Sequence, residues 1–526
     1  MEKEGVTLAP DAEKESYNEQ FYLYLALTKA SEQVILTYSV MTSKGESKRP
    51  SYLINRVKQV FPKLVAEKEE SDTSYEKIMG SDKGKSYLIS HLADGTYAKD
   101  VIWWEIASHY EKKTPGILKD LLRIREKRAG SNSLKKEAAK RLFGGILYGS
   151  VTRFEQYVQC PFAFFAHYGL LLNERQQYEI SSLDHGNLFH QAMEHLSHEL
   201  EQRNKNWQDL SEEEAVLLAA ECVDAVAERY QGRKYFQSNR VSFMLKRLKN
   251  EVVHSVWAMW HQMQEGDFVQ TYTEKGFRGN DKEWESMCIP FGEDAKICLN
   301  GVIDRVDLCS LPGEELIKII DYKSSDSQDL SLAKVYYGLQ MQLLTYLEAA
   351  KEMVEKEHKG KEAVPAAMLY YAIKEKNLDW KPESEEEYEK RVLDSMKCKG
   401  YVNEEPEIIG HLDKSVVNGG ELIPGQKSVV VPVAVDKKGL LKKNSETLST
   451  KDFETLIAHT KEKMKECGKA ILDGKIEAIP YVYEDNDGCT YCPYGSVCGH
   501  ESKKDGVREM KKMSDDEVWE ALYGDD

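Results

Sequence analysis

The spacing of apolar positions changes period along the chain. Phe21 to Ala30 is apolar on most sides and predicts a helix; the β-branched run Val34-Ile35-Leu36-Thr37-Tyr38 predicts a buried strand after it. Residues 66–86 are charged and read as loop. Helical periodicity dominates 100–142 and most of 150–260. Between 287 and 322 the pattern turns to strand, with Ile297-Cys298-Leu299 and Leu316-Ile317-Lys318-Ile319-Ile320 as its apolar runs. A helix over about 331–357 and a strand at Ala367–Ile373 follow. Val429–Val435 predicts another strand, at an edge because Pro432 has no N–H to give a ladder. A helix over about 451–473 and a short amphipathic helix in an acidic tail complete the pattern. Helices bracketing several strands predict an α/β fold with a mixed sheet. No apolar run reaches the length of a membrane span.

Composition narrows this picture. The chain has 526 residues, enough for about three or four domains by size alone. Its 41% hydrophobic content suits a globular protein. Met1-Glu2-Lys3-Glu4-Gly5 lacks the apolar stretch of a signal peptide, so a cytoplasmic location is expected. The net charge of −17 argues against nucleic acid as a partner. Against it stands a local basic cluster: Lys119, Arg123, Arg125, Lys127, Arg128, Lys135, Lys136, Lys140 and Arg141. The cluster reads first as a solvated helix face and otherwise as a phosphate-tracking surface. Arg240, Lys246, Arg247 and Lys249 form a second basic group. Gly80-Ser81-Asp82-Lys83-Gly84-Lys85-Ser86 imitates a phosphate-binding loop. It is one residue short between its glycines and follows no apolar strand.

Ten cysteines in a reducing compartment predict no disulfide. Cys222, Cys288, Cys298, Cys309, Cys398 and Cys467 read as small buried hydrophobes. Cys489, Cys492 and Cys498 differ, because three thiols in ten residues suit one metal centre. Either an iron–sulfur cluster or a zinc tetrahedron needs a fourth ligand, and spacing alone leaves seven candidates, Cys160 among them.

The strongest chemistry lies at 299–346. Asp304 ends one strand and Asp321-Tyr322-Lys323 ends the next. Residues two apart on a strand share a face, so Asp321 and Lys323 point together, Asp304 reaches them and Asp307 faces away. Carboxylates that hold a hard cation, with a lysine to place water or meet developing charge, suit phosphodiester cleavage. A lone D-x-K is more often a solvated strand cap. Two helical i,i+4 pairs add weight: Gly186 with His190, and Gln342 with Tyr346. His190 alone reads equally as ligand or packed core residue, and Gln342–Tyr346 alone as a helix-surface contact.

Taken together, G-x3-H (Gly186, His190), G-x-I-D (Gly301, Ile303, Asp304), D-Y-K (Asp321, Tyr322, Lys323) and Q-x3-Y (Gln342, Tyr346) resemble the RecB-type PD-(D/E)XK nucleases, in order and interval. One branch, found as the B subunit of AddAB-type helicase–nucleases, adds four cysteines around the fold. Cys160, in Thr152-Arg153-Phe154-Glu155-Gln156-Tyr157-Val158-Gln159-Cys160-Pro161-Phe162, and Cys489, Cys492 and Cys498 match that pattern.

The resemblance implies a nuclease core over 149–502, a [4Fe–4S] cluster on the four cysteines, and Mg2+ held by His190, Asp304, Asp321 and the Tyr322 carbonyl. Lys323 would be catalytic, with Gln342 and Tyr346 supporting it. It further implies a DNA exonuclease that degrades the 5′-ended strand at double-strand breaks with an AddA-type helicase–nuclease partner. Tyr24-Leu25-Ala26-Leu27-Thr28-Lys29-Ala30 is similar to the last piece of a UvrD-type motor. Residues 1–65 would then be a motor remnant, 66–148 a partly basic helical connector and 503–526 an acidic tail. Lys29 stands where active motors carry arginine, so no ATP hydrolysis is expected. Two rivals remain: a stand-alone single-strand exonuclease, and a nuclease-dead iron–sulfur scaffold that binds DNA.

Overall fold

A computed structural model describes residues 12–40, 47–66, 81–94, 96–128, 133–174, 182–231, 239–278, 284–292, 295–323, 329–373, 378, 384–484, 486–500 and 506–524. The chain divides into two units, 1–128 and 129–526.

The first unit holds helices Ala12–Thr28, Tyr52–Val60, Ser81–Asp94, Val101–Lys113 and Ile117–Arg128. Its small core joins Tyr87, Leu88, Leu92, Trp103, Ala107 and Tyr110. Two local expectations fail here. Residues 34–38 form no strand and Ile35 is 75% exposed; a β-branched run needs a neighbour to bond, and no described strand supplies one. Residues 81–86, expected as loop, open a helix whose apolar face packs against Trp103. Most of the remaining expected loop, 67–80, lies outside the described residues.

The second unit is built on a six-stranded sheet in simple sequential order: β1 Val269–Gly276, β2 Val302–Leu311, β3 Glu314–Lys323, β4 Glu362–Ala372, β5 Lys399–Asn403 and β6 Thr447–Leu448. The pairs β3–β4 and β5–β6 are parallel and the other pairs antiparallel. Helices cover both faces, as the apolar runs on the inner strands require. α1 Val151–Gln159, α3 Gln342–Glu357 and α4 Thr450–Leu472 pack against one face with Val306, Ile317 and Ile319. α2 Ser182–Gln202 and the helices Glu212–Gln231 and Asn239–Gln264 cover the other with Ile320, Tyr322 and Leu369. Asp307 does face away from Asp304. It is buried in ion pairs with Arg305 (2.7 Å) and Lys318 (2.8 Å), and those charges outweigh burial to keep its pKa low.

Helix Lys136–Phe143 and the tail helix Asp515–Tyr523 belong to this same unit, burying Ala139, Phe143 and Val518 in its main core. Three further expectations need correction. The 331–357 helix is two helices, Leu332–Tyr336 and Gln342–Glu357, parted by a turn at Gly338. Val429–Val435 is buried but is no strand. The Val433 N–H turns back to the Val431 carbonyl (2.7 Å) around Pro432, which has no N–H for a ladder. Cys288 and Cys298 are a disulfide rather than two buried hydrophobes, because the register of two short antiparallel strands sets them opposite each other. No described helix is long and apolar enough to cross a membrane.

Candidate active site

The β2–β3 hairpin brings the first carboxylates together. Arg305 pairs with Ile320, so Asp304 lies beside the end of β3, and the Tyr322 N–H donates to Asp304 Oδ2 (2.7 Å). Alternation places Asp321 and Lys323 on one side, with Lys323 Nζ 2.6 Å from Asp321 Oδ2. Tyr322 points to the other side and packs its ring against Phe189, His190 and Tyr371.

Helix α3 closes the lysine in. Lys323 Nζ donates to Gln342 Oε1 (3.0 Å), and Gln342 Nε2 donates to the Tyr346 hydroxyl (3.0 Å). The Q-x3-Y spacing therefore works as one helical turn that grips the lysine. Gly301 lets this packing close up. A Cβ there would sit 2.8 Å from the Phe277 ring and 3.2 Å from the Tyr346 ring.

His190 enters from α2, one turn after Gly186. Its Nδ1 is 2.9 Å from Glu274 Oε1 and 3.6 Å from Asp304 Oδ1. Glu274 is absent from the sequence reading. Residues 273 and 275 pair with 305 and 303, which sets Glu274 across from Asp304. Its φ of +45° is strained for a side chain with a Cβ, and such strain is typical of functional positions. His190, Glu274 and Asp304 each offer a ligand atom within 4.8 Å of the others.

The charges explain what this arrangement can hold. Burial, then the charge of Asp321, pushes the Asp304 carboxyl well above its ordinary range. Burial also raises Asp321, against the pull of Lys323. Burial alone would lower His190, but its bond to Glu274 and the charge of Asp304 outweigh that and raise it to about 9. Several carboxylates withdrawn from water around one imidazole need positive charge, and oxygen donors with one nitrogen fit a small hard divalent ion.

The four cysteines also come together. α1 ends at Cys160, where Arg508 donates to the carbonyls of Val158, Gln159 and Ile479. Asp487 accepts from the N–H groups of Cys489 (2.9 Å) and Thr490 (2.6 Å), starting the C-x2-C turn. A Cβ on Gly488 would lie 2.9 Å from the Gln159 carbonyl, so the residues preceding Cys489 and Cys160 are nearly in contact. The Tyr494 hydroxyl meets His167 Nδ1 (2.8 Å) and the Leu172 carbonyl (3.0 Å). Burial lifts the Cys160 thiol. Burial, Asp487 and the other three thiols lift Cys489 to about 11. Thiols that raise one another share one site, and a bound metal would keep them as thiolates.

The basic groups do not form one described surface. Lys119 and Arg123 lie in the first unit and Lys135 to Arg141 in the second, while the side chains of Arg125, Lys127, Arg128 and Arg240 fall outside the described residues. Lys249 pairs with Asp224 (2.6 Å), Arg247 with Glu251 (2.9 Å) and Lys136 with Asp473 (2.7 Å).

The sequence model of the PD-(D/E)XK nuclease superfamily matches residues 149–499, which span the sheet, the carboxylate cluster and the four cysteines. The chain belongs to that superfamily. Among curated proteins, this PD-(D/E)XK chain is similar to the B subunit of the ATP-dependent helicase/deoxyribonuclease of Lachnoclostridium phytofermentans, at 33% identity over 99% of this chain and 44% of the relative. The protein of the same name from Clostridium perfringens strain 13 is 31% identical over 99% of this chain and 45% of its own length. That from Alkaliphilus oremlandii is 28% identical over 99% and 46%. The PD-(D/E)XK chain thus spans about half the length of the curated relatives it matches.

Proposed function

We propose that this chain is the nuclease module of a helicase/deoxyribonuclease B subunit, an Mg2+-dependent exonuclease acting on DNA ends. The observation that carries the reading is the buried pair Asp304 and Asp321 beside Lys323. His190, Glu274, Asp304, Asp321 and the Tyr322 carbonyl would hold the ion. Bound there, Mg2+ supplies an acidified water and neutralises charge on the phosphate. Lys323, oriented by Asp321 and Gln342, hydrogen-bonds the attacking water and meets the charge that develops at the phosphate. Tyr346 holds the Gln342 amide so that its oxygen faces the lysine. The 3′ oxygen leaves protonated.

The relatives' names support a partner, an AddA-type helicase–nuclease that feeds DNA to this site, with degradation of the 5′-ended strand. Cys160, Cys489, Cys492 and Cys498 would hold a [4Fe–4S] cluster, which ties positions 160 and 489 together across 329 residues. Closing a loop of that length restricts the unfolded chain by roughly 5 kcal/mol in the chain-entropy model.

End-labelled linear duplex and single-stranded DNA with Mg2+, with and without ATP, tests the proposal. Asp321→Ala and Lys323→Ala should remove cleavage while the far-UV dichroism stays that of wild type. Digestion by either variant would refute the site. Cleavage without ATP or a partner would favour the stand-alone exonuclease. Iron content and visible absorbance of protein prepared without oxygen test the cluster, and a colourless zinc protein would refute it.

A further inference from the structure

Helix α3 carries Gln342 and Tyr346, yet it begins without a cap of its own. Met341 makes no capping bond with its side chain. The bond comes from another helix. Glu155, in the middle of α1, accepts from the Met341 N–H (2.6 Å) and the Gln342 N–H (3.2 Å) through one carboxylate oxygen, Oε1. Free N–H groups and the positive end of the dipole at a helix start make this a favourable place for a carboxylate. The second of those N–H groups belongs to the residue whose side chain grips Lys323. Glu155 is also close enough to feel the charges of Lys323 and Asp321. No other carboxylate is recorded at this helix start among the described residues.

We propose that Glu155 is a positioning residue for Lys323: by capping α3 from outside, it fixes the first turn of that helix and therefore the Gln342 oxygen that orients the lysine. This rests on the reading of Lys323 as catalytic. The geometry also gives Glu155 a second connection. Five residues further along α1 is Cys160, and Arg508 holds the carbonyls at that end of the helix. The cysteine site thus anchors the helix that presents Glu155 to the active site.

Two variants of the full chain separate the cap from general stability. Glu155→Gln keeps an oxygen that can accept both N–H bonds; Glu155→Ala keeps none. Glu155→Ala should lower kcat on the order of 10- to 100-fold with KM and Mg2+ affinity within about threefold, because orientation is lost and binding is not. Glu155→Gln should restore kcat to within about fivefold of wild type. Hydrogen–deuterium exchange read by mass spectrometry should show faster exchange in peptides covering 341–343 for the alanine variant and wild-type exchange for the glutamine variant. A wild-type kcat in Glu155→Ala, an equal loss in Glu155→Gln, a loss confined to KM, or unchanged exchange at 341–343 would each overturn the proposal. If wild-type protein cuts no DNA, the nuclease reading fails, and the exchange measurement still decides whether Glu155 caps α3.

Discussion

Glu155 and Glu274 show how a single carboxylate acts through its surroundings. Burial pushes Glu155 up to about 7, although the Met341 N–H, Lys323 and the Gln342 N–H pull it down. A carboxyl whose pKa is higher folded than unfolded binds its proton more tightly in the native state. Its contribution to stability is complete below the ordinary value near 4.5 and is lost as pH rises through 7. Wild-type protein should therefore lose about 2–3 kcal/mol relative to Glu155→Gln between pH 4.5 and 7.5, the lower figure allowing for partial exposure. Urea unfolding of both proteins across that range checks the sign and the size. Glu274→Gln should weaken Mg2+ binding by about 10- to 100-fold, measured by calorimetry, because it removes both a candidate ligand and the charged partner of His190. Unchanged affinity would assign Glu274 to packing alone.

At the scale of elements, the segments with clear periodicity were legible and those shaped by distant neighbours were not. The D-x-K strand and the Q-x3-Y helix could be read because alternation and the i,i+4 step place their side chains without knowledge of the rest. Glu274 was missed because β1 carries Thr271, Thr273 and Lys275, with no apolar alternation to announce a strand. Only its pairing with β2 sets Glu274 opposite Asp304. The same cause, reversed, misled at Val429–Val435. That run is apolar because it is buried, and a turn at Pro432 buries it as well as a strand would. Gly301 marks the tightest helix-to-strand approach, so Gly301→Ala should cost about 1–3 kcal/mol, with Phe277 and Tyr346 forced apart. Thermal unfolding gives the stability, and kcat reports whether the Tyr346 shift reaches Gln342.

On the scale of the molecule, a net charge of −17 proved a poor guide to partners. Part of the acid is gathered inside at one site, where it serves a cation rather than opposing DNA. The union of Cys160 with the distant three could be read only through family resemblance, since spacing offered seven candidates. The structure supplies the reason the ends meet. Strand Arg508–Glu509 pairs with Tyr481–Tyr483, while the Arg508 guanidinium reaches the carbonyls that precede Cys160. Arg508→Ala should leave those carbonyls without a donor, costing about 2–3 kcal/mol. It should also lower the iron content of purified protein, while Arg508→Lys should restore only part of each.

That guanidinium bears on synthesis at the ribosome. Arg508 and the buried Val518 are made after the strands, the carboxylates and the catalytic lysine have emerged. Until they arrive, α1 lacks the clamp at its end, and Glu155 has no fixed seat from which to hold α3. A nascent or prematurely terminated chain would then carry every acidic residue needed to cut DNA without the alignment to do so. The last turn of the tail helix acts as a completion signal, which keeps a half-made nuclease harmless to the chromosome beside which it is translated.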